Sequence, residues 1–217
     1  MNKTLRKWLK RSGAVMASMM VLVLISQKIL AGVSIGRGML EIRVCQLPLQ
    51  KAYVVYNDYG IPPDSEIWTW DGSRWGLQPA AFDGSFYDEN APEGNLCFMT
   101  RSGSGTNNYA GWGVFLSKPS AHTIDLTDYK FLKLWIKVSA DACINLKVQL
   151  QQDGPNGKRS NALCVNLYGW TAADTWQEIT IPKDDFVNVD FTRIFSPFMI
   201  TIEGGGLIFY VDNVVWV

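Results

Sequence analysis

The chain has 217 residues, 47% hydrophobic, 12% aromatic and 18% charged, with nineteen glycines and nine tryptophans. Its formal net charge is zero, yet residues 1–31 hold Lys3, Arg6, Lys7, Lys10, Arg11 and Lys28 and no acid, which leaves 14 basic against 20 acidic residues, a net of −6, in the remainder. A mildly acidic body with no Lys/Arg cluster lacks the positive footprint that nucleic-acid binding needs.

The N-terminus, "MNKTLRKWLKRSGAVMASMMVLVLIS", places a basic segment before an apolar run, Ser12–Ile25. That run has signal-peptide length and falls short of the roughly 20 residues that a membrane span needs. Residues 1–31 are therefore expected to form a signal peptide, cleaved near Ala31 in "KILAGVS", or a retained membrane-anchor helix. Either way the protein is expected to be secreted, periplasmic or at the cell surface. Residues 32–52 lack periodicity and read as a stem, and residues 53–217 read as one domain with ample material for a core.

From Tyr53 onward, short β patterns alternate with turn signals. "AYVVYNDYG" is a first strand ending at Asn57-Asp58, whereas "GIPPDSEIWTWDGSRWGLQP" and "FDGSFYDENAPEG" read as Gly/Pro/Asp-rich loops carrying aromatics. "NLCFMT" and "GWGVFLS" read as strands. In "KFLKLWIKV", Leu132, Leu134, Ile136 and Val138 alternate with Phe131, Lys133, Trp135 and Lys137. In "INLKVQLQ", Ile144, Leu146, Val148 and Leu150 alternate with Asn145, Lys147, Gln149 and Gln151. Such alternation puts one face in a core and the other in solvent. "ALCVNLYGW", "WQEITIP", "FMITIE" and "LIFYVDNVVWV" bring the count to about eight or nine strands. Strand number, strand length and connection length describe an all-β, antiparallel two-sheet jelly-roll sandwich.

Three side-chain features bear on chemistry. Cys143 and Cys164 flank a hairpin centred near Asp153-Gly154, so a disulfide between them is one of the three full pairings that Cys45, Cys97, Cys143 and Cys164 allow. His122 is the only histidine, and "SAHTIDL" lacks the strand-to-helix elbow of a serine nucleophile, so it reads as a surface residue rather than a partner of Ser102 or Ser104. The last strand carries Asp212-Asn213 inside an apolar run. Acids are expensive to bury there, so the pair either coordinates something or forms a bulge or turn whose side chains cap nearby amides.

The segments "EGNLCFMT", "AGWGVFL", "IDLTDYKFLKLWIKV", "TWQEITIPKDDF" and "FYVDNVVWV" together resemble carbohydrate-binding modules of the galactose-binding-like jelly-roll type over residues 53–217. The resemblance implies a structural Ca²⁺ where the first strand, the "EG" turn and the last strand converge, at Asp58 (or Asn57), Glu93 and Asp212. Oxygen ligands of this kind suit Ca²⁺. It also implies a sugar-binding face in which flat aromatic rings cover pyranose C–H faces and amides or cations bind hydroxyls. On the solvent parity, Trp135 beside Lys147, Gln149 and Gln151 answers to that description, and Trp75, Tyr109 and Trp170 are the candidate loop platforms. Trp68 and Trp70 share a parity and could be presented together. Trp176 and Trp216 match core positions of that family.

The expected function is therefore an exported, non-catalytic polysaccharide-binding domain with a structural Ca²⁺, possible membrane attachment through its N-terminal segment and no nucleic-acid partner. One alternative is a surface or matrix jelly-roll protein. Another is a jelly-roll glycosidase or polysaccharide lyase, with Glu178 and Glu203 as the carboxylates facing one cleft.

Overall fold

The computed structural model describes the backbone of residues 30–36 and 39–45, and residues 51–139 and 145–217 in full. Residues 1–29 of the expected leader and the Cys143 end of the proposed disulfide lie outside the described residues. No disulfide joins the described cysteines Cys97 and Cys164. The chain divides into two compact units, Met1–Gln50 and Lys51–Val217.

The first unit holds two antiparallel strands, β1 (Leu30–Gly36) and β2 (Met39–Cys45), in a two-stranded sheet. The stretch read as an aperiodic stem thus contains paired strands. Their register sets Val33 against Ile42 and Ala31 against Val44.

The second unit is a sandwich of antiparallel strands. β3 (Tyr53–Tyr56), β4 (Glu66–Asp71), β5 (Ala81–Tyr87), β6 (Leu96–Arg101), β7 (Tyr109–Phe115) and β8 (Phe131–Val138) occupy its first half. β9 (Leu146–Gln152), β10 (Leu163–Cys164), β11 (Gln177–Pro182), β12 (Ile194–Glu203) and β13 (Ile208–Trp216) complete it. One sheet runs β10-β9-β12-β7-β4; the other runs β11-β8-β13-β6-β5, with β3 added against β13. Two strands, β4 and β5, lie in segments read from sequence as loops.

The core forms where the inward parities of the two sheets meet. Leu132, Leu134, Ile136 and Val138 from one sheet and Leu146, Val148 and Leu150 from the other are all fully buried. Aromatic side chains fill the centre: Trp112 stacks on Phe98 at 4.2 Å and meets Tyr56 and Phe198 edge-on. Each large side chain buried this way stabilises the fold by about 1.5–3 kcal/mol.

Candidate functional site

The Asp212-Asn213 pair is a β-bulge. Across β13 and β8, Asp212 faces Trp135 but Val215 faces Lys133, so β13 spends one extra residue there. Asn213 takes a positive φ of 45°, a conformation that Asn tolerates better than most residues. The extra residue keeps the core parity on both sides: Phe209 and Val211 point inward before it, Val214 and Trp216 after it. The bulge also divides the far edge of β13, which pairs with β6 through Ile208–Val211 and with β3 through Val214–Trp216.

Three acidic side chains named from sequence meet at this break. Asp212 is fully buried, and its carboxylate accepts the Glu93 amide at 2.9 Å and the Asn213 amide at 2.7 Å. Burial pushes its pKa up to about 6 against the pull of those amides, and the charges of Asp58 and Glu93 push the same way. Asp58 accepts the amides of Asn95 and Leu96 at 3.0 and 3.3 Å. Its carboxylate packs over Gly94, at φ 63°, where a Cβ would collide with it. Glu93 is raised by burial and then by Asp58, and its Oε2 is buried without a partner. An orphaned carboxylate oxygen among oxygen donors fits a hard cation in donor type. Among the described residues, however, no three Asp, Glu, His or Cys side chains already stand at metal-ligand spacing.

The outer face of the five-stranded sheet carries a cleft of about 660 Å³. The register explains how the cleft is assembled. One row across the sheet runs Trp70, Gly111, Thr201, Lys147, Cys164; the next holds Trp68, Gly113, Met199, Gln149; Tyr109 stands opposite Glu203. Gly111 leaves its surface bare, so the Trp70 indole rests against β7 while its Nε1–H donates to Thr201 Oγ1 at 3.1 Å. Lys147 and Glu203 pair at 2.7 Å. Gln149 donates to the Ser160 carbonyl, and Tyr109, Asn145 and Arg159 line the walls. A Gly111→Ala variant would drive a methyl into Trp70 Nε1 and the Ile200 carbonyl. It should lose about 1–3 kcal/mol in a denaturant melt and displace the cleft floor.

Beside the cleft the same face turns apolar. Trp68 stacks on Phe115 at 4.3 Å and meets Phe195 edge-on, closing a small second cluster with Leu116 and Met199.

The structure sorts the residues named from sequence. Tyr109, Lys147 and Gln149 share the cleft. Trp135 does not: β8 and β9 are consecutive but belong to different sheets, so Trp135 is on the opposite outer face, across from Glu178 and Asp212. That face is filled from within, since Lys137 lies over the rings of Trp176 and Tyr210 and is ion-paired to Asp88. Gln151 is buried, with its amide donating to the carbonyls of Gly154 and Pro155 at 2.7 and 2.9 Å to close the turn after β9. Trp170 follows Gly169, at φ 99°, and falls into the main core instead of lying on a loop surface. Trp75 is 73% exposed in the turn Ser73–Trp75 and is not among the cleft's lining residues.

The catalytic alternatives separate as well. Glu178 is on β11 in one sheet and Glu203 on β12 in the other, each with its own lysine, Lys133 and Lys147. They do not share a cleft. His122 pairs with Asp64 at 2.9 Å, and the Ser102 hydroxyl donates to the Leu207 carbonyl. The residue that sequence reasoning placed in a loop, Trp70, is the cleft's floor. Its signal was the shared parity of Glu66, Trp68 and Trp70 in "EIWTW".

No family model and no curated protein matches the sequence. The fold is the β-jelly roll of carbohydrate-binding modules. The chain is similar to the family 30 carbohydrate-binding module of a cellulosomal cellulase of Clostridium thermocellum, with a TM-score of 0.55 and 14% identity over 77% of this chain and 97% of that one. It is also similar to the family 11 module from Clostridium thermocellum in complex with a β-1,3-1,4-mixed-linked tetrasaccharide, with a TM-score of 0.50 and 13% identity over 76% of this chain and 95% of that one. A β-1,2-glucanase from Parabacteroides distasonis matches 71% of this chain but only 23% of its own length, with a TM-score of 0.50 and 13% identity.

Proposed function

We propose that the domain binds polysaccharide without cleaving it, in the cleft on the five-stranded sheet, as an exported protein acting outside the cytoplasm. The observation that carries this reading is a cleft that combines Trp70 and Tyr109 with Lys147, Gln149, Asn145 and Glu203. An aromatic floor takes the apolar face of a pyranose, and the surrounding amides and charges take its hydroxyls. Among the described residues Glu203 is the only carboxylate lining the cleft, whereas a glycosidase needs two across the scissile bond. Trp75 is available as an outlying platform. The export signal in residues 1–31 supports placing the protein outside the cytoplasm.

The same reading includes one structural Ca²⁺ held by Asp58, Glu93 and Asp212. The orphaned Glu93 Oε2 and the mutual repulsion of the three carboxylates support it. The ion would supply charge neutralisation at the bulge and no chemistry.

Affinity electrophoresis of the full chain across soluble glycans tests the binding role. Retardation by at least one polymer, with no new reducing ends on prolonged incubation, is expected. Release of reducing ends would make the protein an enzyme, and assembly into oligomers indifferent to every glycan would favour a matrix role.

A further inference from the structure

We propose, building on the reading of the cleft as a polysaccharide site, that its ligand carries uronic-acid units and that Arg159 selects them. Among the described residues, three charged side chains line the cleft: Lys147, Arg159 and Glu203. Lys147 and Glu203 cancel one another at 2.7 Å. Arg159 has no carboxylate partner among the described residues, so the cleft holds one uncompensated positive charge on a body whose residues 32–217 sum to −6.

The guanidinium is also held ready. Its Nε donates to Gln151 Oε1 at 3.4 Å, and the backbones of Gln151 and Arg159 form an isolated bridge. Gln151 is itself 1% exposed, with its amide nitrogen fixed by the carbonyls of Gly154 and Pro155. That anchoring uses the inner edge of the guanidinium and leaves its two terminal amino groups, the fork that matches a carboxylate in bidentate fashion. A neutral hydroxyl engages one of those donors, whereas a uronate carboxylate takes both and the charge.

The opposite end of the cleft sets a limit on charge density. Gln151 and Lys147 are four positions apart on β9, about 13 Å at the usual rise of a strand. Lys147 is already neutralised by Glu203, so no free cation meets a second carboxylate there. A glycan whose uronates are spaced by neutral sugars suits this arrangement, and an unbroken polyuronate does not.

The test is titration of the full chain with glucuronoxylan, carboxyl-reduced glucuronoxylan, mixed-linked β-glucan, polygalacturonate and dextran sulfate, at low and moderate NaCl. Glucuronoxylan should bind at least about tenfold tighter than its reduced form, with the difference shrinking as salt rises. In Arg159→Gln the intact and reduced polymers should bind equally, while Arg159→Lys should recover only part of the gap. Equal binding of intact and reduced polymer, or tightest binding to dextran sulfate or polygalacturonate, would overturn uronate selection and leave the cleft reading standing. Failure of every polymer to bind would remove the cleft reading, and this inference with it.

Discussion

Trp70→Ala is expected to lose at least about 2 kcal/mol of glycan affinity, roughly thirtyfold, while still unfolding in one cooperative transition. The indole is half-buried and packs on Gly111, Thr201 and, edge-on, Phe115 of the second cluster, outside the main core cluster. Its removal exposes a bare glycine strand without opening a cavity between the sheets. Trp135→Ala serves as the matched control, because Trp135 is equally half-buried but lies on the other sheet. It should leave affinity unchanged. Isothermal titration of both variants against the polymer that binds the wild type best reads the difference directly.

Chelation should lower the melting temperature at pH 7.5 by roughly 6–12 °C, and much less at pH 5. The folded pKa of Asp212 is about 6, against an ordinary value of 3.8. Between those limits the folded chain holds more protons than the unfolded one, so stability falls as pH rises through that window. The penalty is complete above the folded pKa, and at full strength is on the order of 3 kcal/mol. For a domain of this size each kcal/mol moves the midpoint by about 2–4 °C. Glu93, also raised, adds in the same sense. A bound Ca²⁺ removes the penalty at neutral pH, and a chelator restores it. His122 is raised by its contacts with Ser120 and Asp64, so its contribution also fades as pH rises. Asp212→Asn isolates the aspartate's share: without calcium its pH 5–7.5 slope should shrink to what Glu93 and His122 contribute, and its response to calcium should vanish. Melting curves indifferent to both Ca²⁺ and chelator would mean that the backbone amides of Glu93 and Asn213 hold the bulge unaided.

Much of this fold could be read from particular stretches of sequence. The alternation in β8 and β9 placed Leu132–Val138 and Leu146–Leu150 in the core, where every inward member is fully buried. The same alternation misled about the site. Period-two parity separates inside from outside but says nothing about which sheet a strand joins, and β8 and β9 look like neighbours in a hairpin when they are not. Trp135 was therefore grouped with Lys147 and Gln149 across the thickness of the sandwich. The edge strand β4 escaped notice because Gly, Pro and Asp crowd its flanks, although its glutamate and tryptophans alternate. Trp170 and Gln151 sit next to turns with polar neighbours, and only three-dimensional closure shows that Gly169 sends one inward and that the Gly154 turn captures the other. Asp58, Glu93 and Asp212 were named from the resemblance to a family; the structure brings Asp58 and Asp212 onto the backbone amides of Glu93–Leu96.

The most direct test is to record amide chemical shifts of the full chain during titration with a binding oligosaccharide. Binding on the five-stranded sheet predicts shifts concentrated at Trp70, Tyr109–Gly113, Lys147–Gln149 and Thr201–Glu203, with Lys133–Lys137 and Tyr210 still. Shifts gathered instead around Trp135, Lys137 and Tyr210 would place the ligand on the wrong side of the sandwich and contradict the account.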